Sequence, residues 1–217
     1  MRGNKAEFLS KLCQQHNWGY TRFDYRGHGE SEAEPENCSL LDWLDDTLAV
    51  IDQTARPVVL IGSSMGAWLA THALLQRPRQ VSALLTIAAA PDFPQTLLWP
   101  ALDESQQQEI LNGHCVSVPT AYEEEQWRIR KKLFDSGKQL ALLTEDKPLD
   151  ITAPVCMLHG TADADVPWTH SQQLLERFAL SSQASLTLIQ GGDHRLSEPK
   201  HLTMLKHKIE QLVSSLS

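Results

Sequence analysis

A sharp change of pattern near residue 62 constrains the chain most. The apolar run PVVLI at 57–61 stops at Gly62, and a helical pattern begins just after Ser64. The residues between, GSSMG at 62–66, fit Gly-x-Ser-x-Gly, in which a serine occupies a sharp strand-to-helix turn. Such a turn strains the serine backbone, and we expect side chains in place of Gly62 or Gly66 to clash. The pattern predicts Ser64 as an exposed nucleophile, with the Met65 N–H as an oxyanion donor. The alternative is a plain tight turn in which Ser64 caps the helix.

Length and composition narrow the class of protein. The chain has 217 residues, which favours one α/β domain with at most one inserted subdomain. Its net charge of −8 disfavours nucleic acid and anionic membranes as partners. We find no apolar run that could span a bilayer and no leader pattern, so we expect no stable membrane anchoring. Four scattered cysteines predict free thiols in a reducing compartment, and we expect a cytoplasmic protein. The nine histidines lack metal-site spacing, so we expect no metal and no cofactor.

Short apolar runs alternate with helical patterns along most of the chain. This alternation predicts an α/β fold with a mostly parallel sheet and helices on both faces. Loops after the strands then meet at one edge of the sheet, where sites in such folds lie. The predicted strands are 19–25, 58–61, 81–88, 155–158 and 185–189, and the predicted helices are 4–16, 39–53, 64–76, 169–178 and 202–212.

The alternation breaks between residues 91 and 153. This stretch has no confident strand, and helical pieces are predicted at 104–111 and 122–134. We interpret it as a helical cap inserted into an α/β core made of residues 1–90 and 154–217. Its apolar residues could line a slot for a substrate chain or simply pack the cap onto the body. The acidic run 123–125 is interpreted as a solvated helix face. The apolar candidates are Leu97, Leu98, Trp99, Leu102, Trp127 and Leu133.

An activated serine needs a base and a carboxylate that orients the base. Asp163 and His194 follow the last two predicted strands, in the chain order serine, acid, histidine that this kind of fold uses. We prefer Asp163 to Asp165 because a turn at 159–160 would bring it over the strand end sooner, although spacing leaves both open. Asp193 is interpreted as a turn residue, and His28 is a second candidate base that we expect to shape the substrate pocket.

Four stretches together carry a resemblance to a known family: DYRGHGES at 24–31, GSSMGAW at 62–68, HGTADADVPW at 159–168 and GDHR at 192–195. In this order they resemble the α/β-hydrolase superfamily of serine hydrolases. Within it, they are similar to the branch of the mitochondrial palmitoyl-protein thioesterase that also cleaves acyl-glucuronides. The resemblance implies Ser64 as nucleophile, Asp163 as acid, His194 as base and the Met65 N–H as an oxyanion donor.

The start of the chain departs from the family pattern. Members of the family begin with further strands and a glycine turn that supplies a second oxyanion N–H. We therefore expect the N-terminal strands and the oxyanion turn to be missing from this core, through truncation or a start site assigned too late.

These features together predict a serine hydrolase that cleaves carboxylic esters or acyl thioesters through an acyl-enzyme. Its partner is a small-molecule ester or thioester, or an acylated protein. The alternatives are a small-ester carboxylesterase and a catalytically disabled hydrolase-fold binding protein. A peptidase is disfavoured, because nothing marks an acidic pocket for a free amino terminus. The oligomeric state is left open.

Overall fold

The computed structural model describes residues 3–119, 126–144, 148–178 and 183–216. Within these ranges the strands are β1 (Val58–Ser63), β2 (Val81–Ile87), β3 (Val116–Val118), β4 (Trp127–Ile129), β5 (Val155–Gly160) and β6 (Ala184–Ile189). The helices are α1 (Asn4–His16), α2 (Leu40–Asp52), α3 (Met65–Gln76), α4 (Trp99–Ala101), α5 (Glu104–Leu111), α6 (Lys131–Gln139), α7 (Thr169–Arg177) and α8 (Pro199–Ser214). Short 3₁₀ and π turns lie at Pro35–Asn37 and Pro94–Leu98.

The main sheet of the described chain is parallel and has the order β1-β2-β5-β6. Ser63 pairs with Ile87, and Ile87 pairs with Leu158, so these strands reach the same edge of the sheet. Strand β5 runs two residues further, to Gly160, which pairs with Ile189. The loops that follow the strands therefore emerge side by side, as the alternation of patterns predicted.

Each face of the sheet carries its own apolar core, which confirms the predicted α/β fold with helices on both faces. On one face, α1 and α8 cover alternate residues of β2. On the other face, α2, α3 and α7 contribute to a single apolar core that contains the buried Trp43 and Trp68. Alternate residues of a strand point to opposite faces, so a central strand must be apolar throughout. The β2 residues under α1 and α8 are Ala83, Leu85 and Ile87.

Residues 19–25, predicted as a strand, carry none, although the structure describes all of them. A strand needs a neighbour to accept its ladder of hydrogen bonds, and no described strand pairs with this segment. The segment is held by side chains instead. The Tyr20 hydroxyl donates to the Ala6 carbonyl at 3.1 Å, and Phe23 packs edge-on against Tyr25 with ring centroids 5.1 Å apart.

The prediction for residues 91–153 is partly wrong. Helix α5 lies where it was expected, but β3 and β4 form an antiparallel hairpin, and the helix predicted at 122–134 begins only at Lys131. Trp127 and Ile129 alternate with the exposed Arg128, a two-residue period that favours a strand. The segment is too short for that period to stand out in the sequence. The acidic run 123–125 lies outside the described residues.

Hydrogen bonds hold residues 140–143, near the end of this segment, against helix α3 and against Asp92. The Leu140 carbonyl accepts from Trp68 Nε1 at 2.9 Å, and His72 Nε2 lies 2.8 Å from it. The Asp92 carboxylate accepts the N–H groups of Leu142 and Leu143, both at 2.8 Å. Asp92 is buried, and burial raises the pKa of its carboxyl even though these two N–H donors oppose the shift. The contacts of Trp68 and His72 with the Leu140 carbonyl therefore attach the segment to helix α3, which starts at Met65.

The two glycines around Ser64 differ in what they tolerate. A Cβ at Gly62 would lie 2.4 Å from the Gly66 carbonyl oxygen and 2.6 Å from the Ala67 Cα, both of them backbone atoms. A Cβ at Gly66 would meet only the Tyr25 hydroxyl, at an ordinary 3.7 Å. The expectation that both positions exclude a side chain is therefore wrong for Gly66. Only Gly62 is required by the close approach of strand and helix.

This difference predicts opposite effects of one substitution at two neighbouring sites. We expect Gly62→Ala to lower the free energy of unfolding by about 1–3 kcal/mol, because backbone atoms must move to admit the methyl group. Gly66→Ala should leave stability unchanged or raise it by up to about 1 kcal/mol, since a helix favours alanine. Urea denaturation followed by circular dichroism measures both. Equal destabilisation by the two substitutions would contradict the assignment.

Candidate active site

Ser64 occupies the junction between β1 and α3 with a strained backbone. Its φ of 55° and ψ of −123° lie in a region that non-glycine residues rarely adopt, at a cost of about 1–3 kcal/mol. The junction is held on both sides: the Ser64 N–H donates to the Ile87 carbonyl at 2.9 Å, and the Ser64 carbonyl accepts from the Ala67 N–H at 3.0 Å. The Ser64 side chain makes no capping hydrogen bond to α3, which disfavours the reading of Ser64 as a plain helix cap.

Three side chains far apart in the sequence form one hydrogen-bonded line. The Ser64 hydroxyl lies 3.0 Å from Nε2 of His194, and Nδ1 of His194 lies 2.7 Å from Oδ2 of Asp163. The His194 side chain is 13% exposed and that of Asp163 is fully buried. The carboxylate can only accept, so Nδ1 of His194 carries a proton and Nε2 is left to accept from the serine hydroxyl. The line can therefore draw a proton away from Ser64.

The Asp163 carboxylate has four hydrogen-bond donors. Oδ1 accepts the N–H groups of Asp165 and Val166 at 2.9 and 2.8 Å, while Oδ2 faces His194 and, at 3.0 Å, Nε2 of His159. Burial alone would raise the pKa of Asp163, but the bonds from His159, His194 and Val166 outweigh burial and hold the pKa well below its ordinary value. Asp165 is exposed and contributes its backbone N–H to this arrangement, whereas the carboxylate of Asp163 is the one bonded to His194.

A close contact between two loops brings Asp163 and His194 together. A Cβ at Gly160 would lie 2.2 Å from the Gly192 carbonyl oxygen, so only glycine allows the end of β5 to lie against the loop after β6. The Ala162 N–H donates to the same Gly192 carbonyl at 2.9 Å. Asp193 accepts the Leu196 N–H at 2.8 Å and so closes the turn that carries His194, as a turn residue should.

The three residues proposed for the substrate pocket make packing contacts. His28 lies against Trp43, with ring centroids 5.0 Å apart, and its Nδ1 lies 3.4 Å from the Arg26 carbonyl. Trp99 packs edge-on against Phe134 at 5.0 Å. The ring centroid of Trp127 lies 6.1 Å from that of Phe93, which in turn contacts the buried Trp68 at 5.9 Å.

His159 also belongs to this network, although the sequence analysis did not single it out. The prediction of a turn at 159–160 is wrong, because His159 and Gly160 are the last residues of β5 and the turn follows them. The His159 ring is fully buried and lies 2.7 Å from the Ser171 hydroxyl as well as 3.0 Å from Asp163. The available signal was a histidine inside an otherwise apolar buried strand, where an unpaired ring would be costly.

The same edge brings potential metal ligands together. Ligand-type atoms of Asp163, Asp165 and His194 lie within 4.8 Å of one another. Nδ1 of His194 and Oδ2 of Asp163 are already hydrogen-bonded to each other, so these two atoms cannot ligate an ion without breaking the hydrogen-bonded line.

Among the described helices, none is both long and apolar enough to cross a bilayer.

The depressed pKa of Asp163 predicts how stability depends on pH. An acid with a lowered pKa stabilises the fold above its unfolded pKa of about 4, and the contribution is lost as the pH falls toward the folded value. We expect Asp163→Asn to lower the free energy of unfolding by about 2 kcal/mol near pH 7, because its amide would face ring N–H donors. The deficit should shrink below about pH 4. Urea titrations at several pH values, with exposed Asp165→Asn as the control, measure it. A deficit that is independent of pH would contradict the assignment.

The sequence of the chain is similar to those of known proteins over most or all of its length. The family model described as serine aminopeptidase, S33 (Hydrolase_4) matches residues 3–199. The palmitoyl-protein thioesterase ABHD10, mitochondrial, of Bos taurus is 34% identical over all of this chain and 70% of its own length, and that of Homo sapiens is 33% identical with the same coverage.

Solved structures give the same result. That of alpha/beta hydrolase domain-containing protein 10 from mouse superposes with a TM-score of 0.88 at 35% identity, covering all of this chain and 86% of the mouse chain. A putative hydrolase from Agrobacterium vitis S4 has a TM-score of 0.89 at 32% identity, covering 97% of this chain and 82% of its own. The strained serine at the strand-to-helix junction and these similarities lead to one conclusion: the chain belongs to the serine aminopeptidase S33 family and is an α/β-hydrolase enzyme.

Proposed function

We propose that the chain is a serine hydrolase that cleaves carboxylic esters or acyl thioesters through an acyl-enzyme. The observation that carries the proposal is the hydrogen-bonded line from Ser64 through His194 to Asp163 at the carboxyl edge of the parallel sheet. A serine at a strained junction, a histidine in the correct tautomer and a buried carboxylate are what acyl transfer by serine requires.

In the proposed mechanism, Ser64 attacks the acyl carbonyl while Nε2 of His194 takes the hydroxyl proton. The imidazolium then passes this proton to the leaving alcohol or thiol, and Asp163 holds the ring and stabilises its charge. Met65 is the first residue of α3, where N–H groups are not used by the helix, so its N–H can stabilise the oxyanion. Water, activated by His194, then hydrolyses the acyl-enzyme and restores Ser64.

A substrate with an acyl chain is supported by two facts. The ABHD10 relatives are described as palmitoyl-protein thioesterases, which act on a long acyl group. In this chain, the Ala90 N–H donates to the Ser64 carbonyl at 3.3 Å, and three residues later Phe93 begins a row of aromatic rings that reaches Trp127. Phe93 and Trp127 are only partly buried, so they offer apolar surface on the segment that follows the contact of Ala90 with Ser64.

We further propose that residues 91–153 form a cap over a core made of 1–90 and 154–217. The hydrogen bonds from the N–H groups of Leu142 and Leu143 to Asp92, together with the contact of α6 with α2, support this division.

The described cysteines are all free thiols, in keeping with a reducing compartment such as the cytoplasm. The ABHD10 relatives are described as mitochondrial, and that location is a property of those proteins.

Replacement of the proposed nucleophile tests the reaction class directly. We expect Ser64→Ala to abolish covalent labelling by a fluorophosphonate probe and to lower ester turnover by at least about 10⁴-fold, because no acyl-enzyme can form. Ser63→Ala is the matched control. Ser63 is the last residue of β1, one position before the strained turn, and its replacement should leave labelling intact.

Labelling of Ser64→Ala at the wild-type level would refute Ser64 as the nucleophile. A folded wild-type protein that neither labels nor turns over any ester would instead favour the disabled binding protein. Circular dichroism of each variant establishes that the comparison is made between folded proteins.

The length of the acyl chain is tested with p-nitrophenyl esters from C2 to C16. We expect kcat/KM to be highest for a medium or long chain, because each buried CH₂ contributes about 0.8 kcal/mol. Trp127→Ala should lower kcat/KM for the long esters more than for the C2 ester, whereas Leu111→Ala, at a position 53% exposed, should change neither. A maximum at C2 would favour the small-ester carboxylesterase.

A further inference from the structure

We propose that His159 is a positioning residue for the reaction at Ser64, acting by sharing Oδ2 of Asp163 with His194. The inference rests on the proposed function, because it concerns how the carboxylate stabilises the imidazolium of His194. It assigns a role to a side chain that approaches the line of Ser64, His194 and Asp163 from the interior of the sheet.

The ring of His159 is both buried and hydrogen-bonded. Strand β5 lies between β2 and β6, and His159 is its penultimate residue, fully buried. Burial of an imidazole without hydrogen-bond partners is unfavourable, but it does occur in this fold. His201 on α8 illustrates the difference: it is 2% exposed, yet within the described chain neither of its ring nitrogens has a hydrogen-bond partner. The partners of His159 therefore need a reason beyond burial.

The partners of His159 determine where its proton lies. Nε2 faces two oxygens, Oδ2 of Asp163 and the Val166 carbonyl, each at 3.0 Å. Both can only accept, so Nε2 carries the proton. Nδ1 then accepts from the Ser171 hydroxyl on α7, at 2.7 Å. Ser171 is fully buried, so it holds the ring in the tautomer that donates to Asp163.

This tautomer gives Oδ2 of Asp163 two ring N–H donors, one from each histidine. Oδ1 is held by two backbone N–H groups, so the carboxylate cannot turn away from His194 when one ring is removed. What His159 changes is the charge available on Oδ2. A second donor withdraws charge from that oxygen and weakens its attraction for the imidazolium that forms when Ser64 loses its proton.

The sign of the effect follows from this competition. Without the His159 donor, Asp163 would bind the protonated His194 more strongly. On the acid side of the pH profile, a larger fraction of the enzyme would then carry a protonated His194, which cannot act as a base. The acid limb of the pH profile of kcat/KM would therefore move to higher pH. The titratable groups that face His159 are Asp163 in the following loop and His170 on α7, and neither is removed by the substitutions below.

The test uses the full chain and compares His159→Leu with wild type. We expect the acid limb of kcat/KM for a soluble p-nitrophenyl ester to move to higher pH by about half to one pH unit, because the substitution removes a hydrogen bond to a charged group and part of that effect is transmitted to His194. KM should change less than about twofold, because His159 does not touch the substrate. His159→Gln, whose amide can still donate to Asp163 and accept from Ser171, should bring the limb back toward wild type.

Two further variants separate this role from a structural one. His201→Leu removes an equally buried ring that lacks hydrogen bonds and should leave the acid limb in place. Ser171→Ala keeps the His159 ring but frees its tautomer, so it should move the limb in the same direction by a smaller amount. If His159→Leu does not fold, the test uses Ser171→Ala and His159→Gln. The proposal is supported if the acid limb of His159→Gln lies at the wild-type pH and that of Ser171→Ala lies at a higher pH.

A measurement without substrate distinguishes failure of this inference from failure of the proposed function. In ¹H–¹⁵N spectra of histidine-labelled protein, the Nδ1–H of His194 should move downfield when the second donor to Oδ2 is removed. An unchanged signal, or an unchanged acid limb in folded His159→Leu, would overturn the role of His159. If the wild-type protein shows no turnover, the downfield shift still decides whether the carboxylate is shared.

Discussion

The parallel register of β1, β2, β5 and β6 is the constraint on which the site depends. Because Ser63, Ile87 and Leu158 pair in one row, the loops after these strands leave the sheet at one edge. The two-residue extension of β5 then places Gly160 against Gly192, and a contact that close is open only to glycine. A serine, a carboxylate and an imidazole separated by up to 130 positions thereby come within hydrogen-bond distance.

Backbone strain and buried charge are both concentrated at this edge, and each is compensated nearby. The unusual conformation of Ser64 is held by hydrogen bonds from the junction to β2 and to α3. The buried charge of Asp163 is compensated by two backbone N–H groups and two imidazole rings, a number of donors that explains why burial does not neutralise it. Backbone strain and perturbed pKa values are common where a protein prepares groups for chemistry.

Local rules accounted for most of the helices and for the strands of the parallel sheet. Helix α2 begins at Leu40 behind a capping box of Ser39 and Asp42, inside the predicted helix 39–53, and α1 has the bounds that its apolar spacing predicted. They failed at residues 19–25, where β-type residues have no neighbouring strand, and at Trp127, where a three-residue strand is too short to show its period. Strand formation depends on a partner elsewhere in the chain, whereas a helix satisfies its hydrogen bonds within its own residues.

The sequence by itself determined the kind of fold, and residue order and glycine patterns placed Ser64, His194 and the pair Asp163 and Asp165 after strands. Only the tertiary structure decided between Asp163 and Asp165 as the partner of His194, because two carboxylates two residues apart have the same local pattern and differ only in where their loop turns. It also decided that Gly66 has room for a side chain and that His159 faces the carboxylate. These facts depend on atoms brought together from distant parts of the chain, which no local pattern records.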